Sequence, residues 1–251
     1  MQCIERPLLT IPPFILAGFV LTLVLQVFIH TSINRERNRI DYQSLAQPWH
    51  QQTYQGLSMG SDQLLSYLLA IRLQLHDNQA GEHLRYHHID YDRLIAWLKR
   101  IYQLNPASEY PIFLALRIYS QTPDKQQLRK ILELIDQLFT KQPQLFWKYQ
   151  AEATIIAKHQ LGDLKLALNL AEKLFSQPRT IIMPQWARDM HFLLLADLNE
   201  YESSLSIIQG LLISGTIKDP DEQHFLKEKL LYFQGKLSEI VSKKTELNES
   251  R

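Results

Sequence analysis

The stretch DYDRLIAWLKRIYQLNP (90–106) decides the architecture. Leu94, Leu98 and Ile101 recur at helical spacing and form one packing stripe. Asp90 and Asp92 stand where carboxylates favour a helix start, and Pro106 stops the helix. The same shape returns in QLRKILELIDQLFTKQP (127–143) and GDLKLALNLAEKLFSQP (162–178). In the latter, Gly162 opens a tight turn, and Ala167 and Ala171 permit close helix approach. The stopping prolines fall at 106, 143 and 178, intervals of 37 and 35. A fixed period of this size marks an array of helical pairs, because each pair has two apolar faces and buries only one by itself.

Working outward, apolar stripes predict helices at 61–75, 90–104, 110–121, 124–141, 145–160, 163–176, 184–199, 202–214 and 220–234. A fourth unit, lacking its proline, covers 184–214. No stretch alternates with period two. The fold class is therefore all-α. The pairs resemble the tetratricopeptide superfamily in degenerate form, since 145–160 lacks the expected pattern of Trp, Leu, Gly and Tyr. A closer resemblance rests on the strings HDNQ (76–79), LNPASEYP (104–111), LRIYSQTPD (116–124), AKHQLGDLKLAL (157–168), PQWARDM (184–190) and DLNEYESS (197–204). They are similar to a proteobacterial family of membrane-anchored, tetratricopeptide-like proteins, over most of residues 60–230. The resemblance implies a short TPR-like α-solenoid and an anchor, and brings no activity or substrate with it.

The anchor has its own signature. Leu8 to Ile29 carries no charge, and about 20 mostly apolar residues suffice to cross ~30 Å of hydrocarbon. The run exceeds a signal-peptide core, and no small-residue cleavage motif follows it at His30-Thr31-Ser32. The expected order is a flank (1–7), a transmembrane helix (8–29), a polar tether (30–60), a TPR-like repeat domain (61–235) and a charged tail (236–251). The expected location is a bacterial inner membrane, in a single pass. Arg6 lies before the span and Arg35, Arg37 and Arg39 after it. The excess of arginine after the span leans to a cytoplasmic domain, but the exported layout is equally open.

Composition narrows the chemistry. The chain has 251 residues, one cysteine, eight glycines and a net charge of +1. A disulfide framework and a cysteine-rich zinc module are excluded, and no basic stripe suits nucleic acid. There is no GxSxG, GxGxxG or GxxxxGK[ST] motif, so no catalytic residue and no cofactor are predicted. The densest polar patch, HDNQAGEHLRYHHIDYD (76–92), holds His76, Asp77, His83, His87, His88, Asp90 and Asp92. It could ligate zinc or iron, but it has no HExxH or ExxH spacing, so no metal ligand is assigned.

A stacked helical array offers instead a face lined by the first helix of each pair. Its off-stripe residues are the candidate partner contacts: Tyr110, Arg117, Tyr119, Lys148, Lys158, His159, Trp186, Arg188 and His191. Arg and the large aromatics favour interface hot spots. The expected function is a non-enzymatic, membrane-anchored scaffold or assembly factor. Its partners are proteins of a membrane-associated complex, and the bilayer through residues 8–29. Two alternatives are a structural subunit of a larger membrane complex, and a metal protein built on 76–92.

Overall fold

A computed structural model describes residues 13–37, 45–77 and 89–249. The chain divides into two units, Met1–Ser44 and Leu45–Arg251. Among the described residues every regular element is helical.

The first unit holds α1 (Pro13–Arg37). Proline at the first helical position loses no hydrogen bond there. Phe14 to Ile29 are all exposed and uncharged. Among the described residues no helix is long and apolar enough to cross a membrane. The first five positions of the predicted span, 8–12, lie outside the described residues.

The second unit contains α2 (Gln51–Leu57), α3 (Asp62–Asp77), α4 (Tyr91–Leu104), α5 (Tyr110–Arg117) and α6 (Lys125–Lys141). There follow α7 (Pro143–Ile156), α8 (Leu164–Phe175), α9 (Gln185–Asp197), α10 (Tyr201–Ile213) and α11 (Pro220–Glu249). Consecutive helices pair as α3/α4, α5/α6, α7/α8 and α9/α10. Each first helix also packs on the next first helix at α5/α7 and α7/α9, and α4 packs on α6. The arrangement is solenoid-like. Its register is visible in the polar ties between pairs. Lys130–Asp92, Arg129–Asp163, Lys173–Asp136 and Gln142–Tyr102 join residues 34 to 40 apart in sequence. That separation is one repeat, as nearest-neighbour stacking requires.

Local chemistry starts the second helices. Asp90 accepts from the backbone N–H groups of Asp92 and Arg93, Asp124 from those of Gln126 and Gln127, and Asp163 from that of Leu166. A carboxylate at this position satisfies N–H groups left open by the first turn. α7 runs into a π-turn at Ala157–Leu161, which ends on Gly162 at φ 72°. Glycine takes this left-handed conformation without the Cβ clash.

The main core cluster runs from Leu45 to Leu194, with Leu94, Leu98, Ile101, Ile131, Ile135 and Phe146 almost wholly buried. A second cluster joins Phe192, Leu205, Ile208, Leu226 and Phe233 across α9, α10 and α11.

Several predicted boundaries shift. The stretch expected as a tether over 30–60 divides: α1 runs on to Arg37, and residues 45–57 belong to the packed unit. Trp97 Nε1 donates to the Ala46 carbonyl at 2.6 Å, Arg93 Nη1 donates to the Leu45 carbonyl at 2.8 Å, and Tyr54 is buried. These anchors are main-chain acceptors, so the polar sequence shows no stripe. The helix predicted over 110–121 ends at Arg117 and continues as a 3-10 turn at Tyr119–Gln121. The tail expected from 236 is continuous with α11, where Leu237 packs on the second cluster and Lys236 pairs with Glu239 one turn on.

Candidate interaction surface

The first helices of successive pairs are tied side by side. Gln74 Nε2 on α3 donates to the Tyr110 hydroxyl at the start of α5, at 2.7 Å. Arg117 at the end of α5 pairs with Glu152 of α7 at 3.2 Å. Glu109, which precedes α5, pairs with Lys148 Nζ at 2.5 Å and accepts from the Tyr149 hydroxyl at 2.8 Å. Lys158 reaches from the π-turn to Asp197 of α9 at 2.5 Å. The rings of Trp147 and Trp186 meet edge to face at 6.0 Å.

Burial pushes the Glu109 carboxyl up, but the Lys148 ammonium and the Tyr149 hydroxyl outweigh it and hold the group below the usual carboxylate range. The Tyr149 hydroxyl is pushed well up, first by burial and then by the Glu109 carboxylate that accepts its hydrogen bond. Half-exposed ion pairs contribute only ~0–1 kcal/mol each. Their effect here is to fix which helix faces which.

Seven of the nine predicted contact residues reach solvent. Arg117, Lys148, His159 and Trp186 are exposed. Lys148 is nonetheless engaged, with its Nζ on Glu109 and 5.1 Å from the centre of the Tyr149 ring. Tyr110 and Lys158 are half-buried. So is His191, whose ring lies 5.1 Å from that of Phe175. Burial lowers the His191 pKa, with Glu172 opposing, so its neutral form is favoured.

Two predicted contacts are corrected. Tyr119 is 0% exposed: the 3-10 turn rotates its ring inward, and its carbonyl accepts from the Tyr91 hydroxyl at 2.7 Å. Arg188 is 3% exposed, and its guanidinium donates to the carbonyls of Phe175, Gln177, Pro178 and Ile181. It fastens the α8–α9 connection from inside and has no acidic partner among those bonds.

Sequence reasoning missed Phe113 and Ile155, both nearly half exposed. Phe113 stacks on Tyr110 with centroids 6.2 Å apart and planes 12° from parallel. Both were findable, one turn after Tyr110 and two turns after Lys148 on the same helical faces.

Of the polar patch at 76–92, His83, His87 and His88 lie outside the described residues. Among the described residues no group of three or more His, Cys, Asp and Glu side chains converges on a metal-sized space. An open groove of about 570 Å³ lies where α6 and α8 begin, near Lys125, Arg129 and Lys165. Its central acid, Asp163, is taken up by Arg129 and by the Leu166 N–H. Aromatic contacts and ion pairs run side by side along α5, α7 and α9. No family model, no curated protein and no solved structure matches this chain.

Proposed function

We propose that this chain is a non-enzymatic, membrane-anchored interaction scaffold or assembly factor of tetratricopeptide-like construction. The uncharged run from Leu8 to Ile29 holds it in a bacterial inner membrane, and the face formed by α5, α7 and α9 receives a peptide or helix of a partner protein. The observation that carries this reading is the continuity of that face. Tyr110 and Phe113 stack on α5, Ile155 stands exposed on α7, and Trp186 opens α9, each helix tied to the next. Exposed aromatic and aliphatic anchors with charges beside them are what an interface core and rim need.

The test is photo-crosslinking in intact membranes, with the crosslinker placed at Phe113 or Trp186, followed by affinity purification. One reproducible protein band is expected, and it should be lost on Phe113→Ala together with Ile155→Ala. Crosslinks confined to lipid, or scattered without a repeated protein, would overturn the reading. A stable stoichiometric complex surviving mild detergent would favour the structural-subunit alternative.

A further inference from the structure

We infer that α3 is the contact through which two copies of this chain pair. The helix is apolar on two faces. Leu69, Ala70 and Leu73, with Leu65 beside them, turn into the core against α4. Leu64, Tyr67, Leu68, Ile71 and Leu75 lie on another face and are 58, 52, 53, 48 and 64% exposed. A helix at the edge of a stacked array is expected to present a polar outer face, and this one does not.

The spacing says what fits there. Leu64, Leu68, Ile71 and Leu75 advance by four, three and four residues, the step of a coiled-coil seam, which accepts the knobs of another helix. A lipid surface would call for lysine and arginine along the flanks. The exposed positions of α3 include one cation, Arg72, and its guanidinium lies 5.5 Å from the centre of the Trp97 ring.

The seam is also self-complementary. It carries no charge, so two copies meet without like-charge repulsion. With a two-fold axis between Leu68 and Ile71 the helices run antiparallel. Leu64 then meets Leu75 of the second copy, Leu68 meets Ile71, and Tyr67 meets Arg72. Five half-exposed side chains of this size offer about 500 Å² per copy, or about 1,000 Å² across the pair, at the lower edge of specific interfaces. An interface of this size suits a weak, exchanging dimer rather than a permanent one.

The inference rests on the exposed residues of α3, so it needs neither the anchor nor the contact residues proposed on α5, α7 and α9. The experiment is sedimentation of the full chain in mild detergent over a concentration series up to about 50 µM, which captures weak dimers. The expected mass is two polypeptides. Leu68→Glu with Ile71→Glu should give one polypeptide, with a dissociation constant raised at least about 30-fold, because a charge buried without a partner is strongly disfavoured. Ile213→Glu, at another exposed site, should leave the dimer intact.

If the double variant loses helicity, a bis-maleimide crosslink between copies carrying Leu68→Cys and copies carrying Ile71→Cys, in a Cys3→Ser background, supplies the second readout. A single-chain mass for the unaltered protein overturns the inference, as does a dimer indifferent to the seam substitutions. A monomer whose binding to phosphatidylglycerol vesicles is lost in the double variant would also overturn it and assign the face to lipid.

Discussion

Asp189 on α9 is buried, 4% exposed, with Gln185 Nε2 donating to its carboxyl group at 2.9 Å. Burial pushes its pKa up to about 7, against the opposing pull of Gln185 and Arg179 and with the help of Glu222. The native state therefore keeps a proton that the unfolded chain releases near pH 4. Between those values the folded form binds more protons, so stability falls as pH rises from about 4 to about 7 and then levels. A shift of about three units corresponds to a loss on the order of 4 kcal/mol by pH 7.5. Asp189→Asn should remove that slope and leave the variant more stable than the parent at pH 7.5. Urea denaturation at pH 5.0, 6.0 and 7.5 reads it directly. Parallel curves for the two proteins would show that Asp189 is ionised in the fold.

At the scale of the element, the repeated device is the aspartate that opens each second helix. Asp90, Asp124 and Asp163 cap α4, α6 and α8, whereas α10 begins after Glu200 with no side-chain cap. Asp124→Ala should cost about 1 kcal/mol, the usual worth of such a cap. Asp163→Ala should cost more, because that carboxylate also holds Arg129 at 2.6 Å. Asp163→Asn separates the two contributions by keeping the cap while removing the charge, and thermal melts at neutral pH compare all three. The Leu166 N–H and Arg129 hold the Asp163 carboxyl below its usual range, so its contribution is present at neutral pH and is lost as pH falls through the lowered value. The difference between parent and Asp163→Asn should therefore close in acid.

These elements were legible because their causes are local. Leu94, Leu98 and Ile101 announce α4 by spacing, and the prolines mark the step from one pair to the next, Pro143 by opening α7. Residues 45–57 were not legible as part of the packed unit, because Trp97 and Arg93 grip carbonyls that every residue possesses. The inward turn of Arg188 was hidden for the same reason.

For the whole molecule, nearest-neighbour stacking predicts stability that varies along the chain. The two hydrophobic clusters make this concrete. The larger runs from Leu45 through α8 to Leu194 on α9 and is crossed by the ties Lys130–Asp92, Arg129–Asp163 and Lys173–Asp136. The smaller holds α10 and α11 on α9 through Phe192, Ile208, Leu226 and Phe233. It has fewer buried side chains, and α10 lacks a side-chain cap. The α10–α11 segment should therefore open first, in a unit of its own, while α4 to α8 hold to the global transition. Ile208 is fully buried at the centre of the small cluster, so Ile208→Ala deletes contact area and leaves a cavity costing about 2–4 kcal/mol. If the array is modular, native-state hydrogen exchange will speed up in α10 and α11 by the factor that this free energy sets, about 30-fold or more. Protection of α6 and α7 will stay unchanged. Equal loss of protection across all of these helices would mean instead that the array unfolds as one cooperative body, with the two clusters coupled through α9.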